Sequence, residues 1–287
     1  MIYSSPLRYP GGKKKLADFI TKSIIDNGIQ GGTYIEPFAG GAGVALQVLF
    51  MEYVNNIIIN DADRSIYSFW HSVLNETDRL CKLIYDTHVT IEVWEKQRTI
   101  QNNKDKVNNL KLGFSTFFLN RTNRSGIIKS AGVIGGKNQS GKWKIDVRFN
   151  KSDLIKRIQK IALFKNRIQL HKEDAINFVK TIRPTLNKHN TLIYFDPPYY
   201  NQGAVLYANY YTHNDHEKLS KFIKKLKCKW ILTYDYTPTI IEMYSSVEKR
   251  LLTLNYSAAK KVKGCEMIAF CDNFVIPTEK FSSITIG

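Results

Sequence analysis

An acid, two prolines and a tyrosine follow an apolar run of strand length in residues 191–200, TLIYFDPPYY. A strand that ends in this way delivers its acid, Asp196, to the carboxyl edge of the sheet, where open α/β sheets bind ligands. Asp196 and the carbonyl group of Pro197 are acceptors only, so together they can hold both hydrogens of a planar amino group. The ring of Tyr199 offers a face on which a base can stack. The tetrad Asp196–Tyr199 therefore suggests methylation of an exocyclic amino group, with an ordinary proline turn as an equally weighted alternative.

Residues 33–44, TYIEPFAGGAGV, predict a strand, a glycine-rich turn and a helix. The backbone amides of such a turn and the N-terminus of the helix can face a cofactor, which makes Glu36, Phe38 and Gly40 candidate cofactor-binding residues. One strand later comes Asp61, about 20 residues beyond the glycines, where an acid commonly binds ribose hydroxyls. Nicotinamide-dependent and adenosylmethionine-dependent folds share these features, so they indicate the fold more firmly than the cofactor.

Two further candidate sites remain open, and the second of them, Asp174, lies at the same predicted edge. The loop of residues 5–15, SPLRYPGGKKK, allows close approach of a ligand at its glycines, and Lys13 can meet a carboxylate, although a surface loop reads the same way. Asp174 ends the third core strand, where it serves equally well as a cofactor ligand or as a helix N-cap. We interpret His213 and His216, at a helix start, as polar surface residues.

The net charge of +17 is the strongest feature of the composition. The stretch from Lys104 to Lys172 contains 17 basic residues and three acids, so one quarter of the chain holds most of the excess. Such a concentration favours a polyanionic partner, nucleic acid first and an anionic membrane a distant second, over a solvated basic surface.

No apolar run reaches the roughly 18 residues of a membrane span, no signal peptide is evident, and the four cysteines lack metal-type spacing. We therefore expect a cytoplasmic protein without a metal.

An aromatic cluster in residues 114–126, FSTFFLNRTNRSG, opens into side chains that contact phosphates and base edges. A glycine-rich turn at 132–141 follows, and residues 142–149 alternate like a hairpin strand. This basic hairpin is a candidate groove probe, with a plain surface hairpin as the alternative. The candidate DNA-binding residues are Asn120, Arg121, Asn123, Arg124, Ser125, Lys129 and Lys137.

Seven predicted strands alternate with helices, which indicates an α/β, Rossmann-like fold with a seven-stranded, mostly parallel sheet. The last two strands lack a helix between them and should form an antiparallel hairpin. An amphipathic helix is predicted at 152–164 with Ser152 as its N-cap. We expect residues 1–71 and 161–287 to form the catalytic domain, and residues 72–160 to form an inserted, mainly helical domain with a β-hairpin that recognises the target.

With these pieces assembled, the sequence resembles the Dam-like family of adenine-N6 DNA methyltransferases, in the order of motifs of the α group of amino methyltransferases. The matching pieces are residues 7–13 (LRYPGGK), residues 36–43 (EPFAGGAG), Asn60 with Asp61, residues 119–121 (LNR) and the tetrad. The resemblance implies that Tyr9, Lys13, Asp61 and Asp196 contact S-adenosyl-L-methionine. It also implies that the segment from Asn120 to Lys129 inserts into the DNA. Residues 122–131 depart from the pattern of GATC-specific members, so we expect a different target.

These observations lead to one hypothesis and several rivals. The protein would bind duplex DNA, flip an adenine out and methylate N6 directly, without a metal or a covalent enzyme intermediate. Methylation of cytosine N4 or of RNA is the first rival, and a non-catalytic DNA-binding protein with the same fold is the second. A nicotinamide oxidoreductase is the least favoured, because it leaves the basic insertion unexplained. By analogy with the family we expect a monomer, and the existence of a cognate restriction endonuclease stays open.

Overall fold

The structure, a computed structural model, describes residues 5–8, 14–201, 211–257, 261–278 and 284–286. The chain divides into two compact units. The first comprises Met1–Pro10 and Asp61–Lys172, and the second comprises Gly11–Asn60 and Glu173–Gly287. The predicted recognition domain, residues 72–160, falls inside the first unit, and its role in DNA recognition stays a prediction.

The second unit holds most of the sheet. Its strands are β1 (Thr33–Glu36), β2 (Asn56–Asn60), β4 (Thr191–Phe195), β5 (Lys229–Asp235), β6 (Lys249–Ser257), β7 (Lys261–Phe270) and β8 (Ile284–Ile286). Its helices are α1 (Lys14–Asp26), α2 (Gly43–Phe50), α8 (Ala175–Ile182), α9 (His213–Ile223) and α10 (Pro238–Met243). The first unit contains α3 (Arg64–Asn75), α4 (Thr77–Asp86), α5 (Ile91–Asn102), α6 (Asn109–Thr122), α7 (Lys151–Leu163) and β3 (Ile168–His171).

The strands of the second unit are ordered β2-β1-β4-β5-β7-β6-β8. Strands β2, β1, β4 and β5 are parallel, whereas β7 pairs antiparallel with both β5 and β6. The chain leaves β1 on one side for β2 and returns on the other side at β4, which makes the gap between β1 and β4 a topological switch point. Glu36 ends β1 and Asp196 follows β4, so both stand at this point.

The predicted Rossmann-like fold and the antiparallel pairing of its last two predicted strands, β6 and β7, are confirmed. With β3, whose residues fall in the first unit, the described strands number eight. The additional strand is β8, a three-residue strand that pairs antiparallel with β6.

Burial on both faces explains why the central strands read as apolar runs. Every residue of β4 is buried, as parallel strands covered by helices require. Phe195 and Trp230 of the sheet share one hydrophobic cluster with Phe178 of α8 and Leu219 of α9. The apolar stripe of each helix therefore fixes its place against the sheet.

Close packing between α3 and α6 organises the first unit. A Cβ atom on Gly113 would lie 2.5 Å from the carbonyl oxygen of Ser68, so glycine allows the two helices to approach at this point. Helix α7 begins at Lys151, one residue before the predicted range, and its N-cap is Asn150 and not Ser152. The side chain of Asn150 accepts a hydrogen bond from the backbone amide of Asp153 at 3.1 Å. No helix within the described ranges is long and apolar enough to cross a membrane.

The predicted hairpin at 132–149 is wrong. These residues, all of them described, form turns and bends, apart from an isolated bridge between Asn123 and Val133. The Gln139 side chain takes the place of a strand ladder: its amide donates to the carbonyl groups of Ile134 and Gly136, at 2.9 and 2.6 Å, and its oxygen accepts from the backbone amide of Ile145 at 2.8 Å. Because one side chain satisfies these backbone groups, no pairing strand is needed.

Candidate active site

The acid of the tetrad is held by a hydrogen-bond chain from the neighbouring strand. Asp196 is 7% exposed and follows β4 directly. The hydroxyl group of Thr233, on β5, donates to Oδ1 of Asp196 at 2.9 Å. That hydroxyl has one hydrogen, so the hydroxyl group of Tyr194, 2.6 Å away, must donate to Thr233. These two hydrogen bonds in series fix the orientation of the Asp196 carboxylate.

The rest of the tetrad and the residues after it are also tied to β5 and β7. Pro197 and Pro198 are buried and Tyr199 is half-buried. The hydroxyl group of Tyr199 donates to Oε1 of Glu266 on β7. The two carboxylate oxygens of Asp235, at the end of β5, accept from the backbone amides of Tyr200 and Asn201 at 2.9 and 3.1 Å. The loop therefore leaves β4 in a defined conformation.

The glycine-rich turn between β1 and α2 is anchored by Glu36. This buried carboxylate accepts from the hydroxyl group of Tyr34 and from the backbone amide of Ala45 in the first turn of α2, both at 3.1 Å. Burial, and then the charge of Glu36, raise the pKa of Tyr34 well above its ordinary value. Gly40 has φ 47°, and Ala42, the N-cap of α2, is also left-handed at φ 45°. A non-glycine residue in that region is strained, which is common where backbone approaches a ligand.

Asn60, at the end of β2, connects two loops at the carboxyl edge. Its amide donates to the carbonyl groups of Pro37 and Glu173 at 2.9 and 3.0 Å, and its oxygen accepts from the amide of Glu173 at 2.9 Å. Asp174 is the N-cap of α8, accepting from the amides of Ile176 and Asn177. Of the two roles considered for Asp174, the N-cap is thus observed, and cofactor binding stays a prediction.

Two other predicted cofactor residues lie in different surroundings. The half-buried ring of Phe38 meets the ring of Tyr211 edge-on, with centroids 5.9 Å apart. Asp61 is the first residue of the longer segment of the first unit. Its carboxylate accepts from the backbone amide of Asp63 at 2.9 Å. Tyr9 and Lys13 lie outside the described residues.

Three of the predicted DNA-contacting residues are buried and bind backbone groups of their own unit. The side chain of Asn120 accepts from the backbone amide of Arg8 at 2.7 Å and donates to the carbonyl group of Arg8 at 2.6 Å. It also donates to the carbonyl group of Gly126 at 2.9 Å. Nε of Arg121 donates to the carbonyl group of Pro6 at 2.7 Å. Burial, and then the nearby charge of Arg157, lower the pKa of Arg121 to about 10.

The third buried residue is Asn123. Its oxygen accepts from the indole of Trp94 at 2.7 Å, and its amide donates to the carbonyl groups of Ile127 and Ile128 at 2.8 and 3.1 Å. In this structure Asn120 and Asn123 bind the backbone of residues 126–128, and Arg121 binds the carbonyl group of Pro6. Direct contact of the three with DNA stays a prediction, to which the observed burial lends no support.

The other four candidates are exposed to solvent: Arg124, Ser125, Lys129 and Lys137. Ser125 and Gly126 have φ of 56° and 78°, so the chain turns sharply as it leaves the buried asparagines. Lys137 forms an ion pair of 3.1 Å with Glu95, and both side chains are largely exposed. These four side chains are exposed where a polyanion can reach them, whereas the other three are buried in this structure.

Sequence reasoning missed three residues that hold the tetrad: Thr233, Asp235 and Glu266. Asp235 carried the same signal as Asp196, an acid just after a predicted strand, whereas nothing local in the sequence marks Glu266. The interpretation of His216 as a surface residue is wrong. Its ring is buried, with Nδ1 in a hydrogen bond with the hydroxyl group of Tyr234, and burial lowers the pKa of His216.

Residues 9–258 match the family model described as "D12 class N6 adenine-specific DNA methyltransferase". The chain belongs to this family. It is therefore an adenine-specific DNA methyltransferase, as the resemblance suggested. Within the described residues, no group of three or more His, Cys, Asp or Glu side chains could hold a metal ion.

Two curated relatives of this D12 class methyltransferase are type II methyltransferases. M.MjaIII of Methanocaldococcus jannaschii is 25% identical over 242 residues, covering 77% of this chain and 79% of its own. M.CviBI of Paramecium bursaria Chlorella virus NC1A is 22% identical over 246 residues, covering 83% and 85%. Among solved structures, the SAM-dependent methyltransferase from Agrobacterium tumefaciens overlaps 91% of this chain and 61% of its own, with a TM-score of 0.41 and 9% identity. That structural similarity is slight, and the fold assignment rests on the sheet itself.

Proposed function

We propose that this enzyme transfers a methyl group from S-adenosylmethionine to N6 of an adenine at a specific site in duplex DNA, after flipping the base out of the helix. The observation that carries the proposal is the Asp196 carboxylate, fixed by Thr233 at the switch point of the sheet. An acceptor held in one orientation, followed by the buried Pro197, suits an amino group whose two hydrogens must both be held.

The glycine-rich turn fits the proposed cofactor. Gly40 and the strained Ala42 lead into the N-terminus of α2, where free backbone amides bind polar groups. Phe38 and Asp61 would hold the cofactor with this turn, and Tyr9 and Lys13 join them by resemblance to the family. When bound, S-adenosylmethionine supplies an electrophilic methyl group.

The enzyme's own residues orient the base. Asp196 and the carbonyl group of Pro197 accept the two amino hydrogens, which directs the nitrogen lone pair away from the ring plane. The ring of Tyr199 stacks on the adenine and keeps it out of the duplex. The nitrogen gives up one proton as it gains the methyl group, and Oδ2 of Asp196 can take that proton and release it to water. Transfer is direct, because no side chain needs to bond the base.

The first unit provides the DNA contacts in this proposal. Arg124, Ser125, Lys129 and Lys137 are exposed, in a stretch whose basic excess suits phosphate binding. The divergence of residues 122–131 from GATC-specific members suggests another target sequence. A monomeric state stays a prediction, and the existence of a companion endonuclease stays open.

Sequencing of modified bases tests the proposal. Unmethylated duplex DNA is incubated with the enzyme and S-adenosylmethionine, in parallel with the Asp196→Ala variant. We expect N6-methyladenine at one short motif with the wild type and none with the variant. Methylcytosine in its place, or methylation of RNA but not of DNA, would refute the proposal in favour of the corresponding rival.

A further inference from the structure

Two carboxylates stand opposite each other in the sheet beside the tetrad. Asp235 on β5 and Glu266 on β7 are register partners in the antiparallel pair, so their side chains leave the same face. Like charges in this arrangement destabilise a sheet. Glu266 is in addition only 5% exposed. The pair is therefore unfavourable unless each carboxylate has hydrogen-bond donors.

The donors come from the loop that begins at the tetrad. Asp235 accepts two consecutive backbone amides, those of Tyr200 and Asn201. Glu266 accepts the hydroxyl group of Tyr199. Thr233 lies two residues before Asp235, on the same face of β5, and donates to Asp196. Three side chains from two strands thus hold successive parts of one loop.

We infer that Glu266 is a positioning residue of the methylation reaction: its carboxylate fixes the ring of Tyr199 as the surface on which the adenine stacks. This inference rests on the function proposed above. Tyr199 is only half-buried, so neighbouring side chains do not enclose its ring completely. A hydrogen bond from the far end of the ring to a side chain anchored in β7 restricts the ring's two rotatable side-chain bonds.

Both parts of the site that meet the base are thus positioned by the sheet. Thr233 orients the acceptor, Asp196, and Glu266 orients the stacking surface, Tyr199. A base stacked on a fixed ring presents its amino group in one orientation. Loss of that restraint should lower the rate of transfer more than the affinity for cofactor or DNA, because misplacement by about 1 Å can cost a hundredfold in rate.

The test is a double-mutant cycle in the full-length enzyme with Glu266→Ala, Tyr199→Phe and the double variant. The rate of a single turnover is measured on a duplex that carries the motif found by modified-base sequencing. A second duplex carries 2-aminopurine at the target position, and its fluorescence reports unstacking and stacking of that base. Glu266→Gln keeps an acceptor for the tyrosine hydroxyl. Glu248→Gln, at an exposed glutamate paired with Arg250, is the matched control.

We expect Glu266→Ala and Tyr199→Phe each to slow turnover roughly 10- to 100-fold, and the double variant to be no slower than either. The two single variants, Glu266→Ala and Tyr199→Phe, should each change the 2-aminopurine fluorescence. Glu266→Gln should keep most of the wild-type single-turnover rate. Multiplicative effects in the double variant, or full activity of Tyr199→Phe, would overturn the inference. If Glu266→Ala does not fold, the other two variants still test the inference. Slow turnover by Tyr199→Phe together with normal turnover by Glu266→Gln supports the positioning role of Glu266. Inactivity of the wild type on any DNA would instead refute the proposed function.

Discussion

Asp196 in the second unit and Asn120 in the first are both buried residues of motifs, yet their hydrogen bonds go to different kinds of partner. Asp196 is held by the side chain of Thr233, which is itself positioned by Tyr194. Asn120 binds main-chain groups of Arg8 and Gly126. In the first case a side chain on a strand orients a buried carboxylate. In the second the motif residue is itself the support, and it shapes a loop.

Residue type alone therefore does not distinguish residues that bind a substrate from residues that hold the backbone in place. Asparagine and arginine are common DNA-contacting residues, but in α6 they satisfy backbone groups that would otherwise lie buried without partners. The exposed residues that follow them, from Arg124 onward, then become the candidates for contact with DNA.

Replacement of Asp196 by alanine should lower turnover roughly a thousandfold, because it removes an oriented acceptor from the transition state. The affinity for DNA should change less than about threefold, since phosphate contacts dominate it. Turnover is measured by transfer of labelled methyl groups, and affinity by fluorescence anisotropy. A parallel loss of affinity and turnover would contradict the division of labour between the two units.

Replacement of Asn120 by alanine should destabilise the enzyme by about 2 kcal/mol, because it leaves backbone groups of Arg8 and Gly126 without their partner. Chemical denaturation measures this loss. Ser125→Ala, at an exposed neighbour, is the control and should stay within about 0.5 kcal/mol. If Asn120→Ala were as stable as the wild type but bound DNA poorly, direct contact would be the better explanation.

Arg124→Ala and Lys129→Ala should each weaken DNA binding without a change in stability. Each should also reduce the steepness of the plot of log affinity against log salt by about 1, the change expected for one lost phosphate contact. Lys188→Ala, at an exposed lysine of the second unit, should leave the slope as it is. If the slope of log affinity against log salt were the same in all variants, Arg124 and Lys129 would not contact DNA phosphates.

The buried His216 should make stability depend on pH. Burial lowers its pKa below 6.5, whereas the charges of Asp235 and Asp215 act in the opposite direction. Below about pH 6.5 the unfolded chain therefore binds a proton that the native state does not, so native stability falls as the pH falls, by at most about 1.4 kcal/mol per pH unit. Unfolding midpoints at pH 7.5 and 5.5 should differ less for His216→Gln than for the wild type. His189→Gln, at an exposed histidine, should match the wild type.

Local patterns were sufficient to place Asp196 at the carboxyl edge of the sheet. The run TLIYF is apolar and of strand length, and an acid directly after a parallel strand lies at the carboxyl edge of its sheet. The same reasoning located Glu36 and the glycine-rich turn. It failed for the hairpin at 132–149, because an alternating pattern cannot reveal that Gln139 would satisfy the backbone groups of the turn.

Neighbouring residues and composition were enough to predict three features: the succession of strands and helices along the chain, the position of the tetrad, and the basic excess of residues 104–172. Tertiary structure decided which side chains support the site and which face solvent. Glu266 is 67 residues from Tyr199 in the chain, and Arg121 is 115 residues from Pro6. Contacts at such separations depend on strand register and helix packing, which no local pattern encodes.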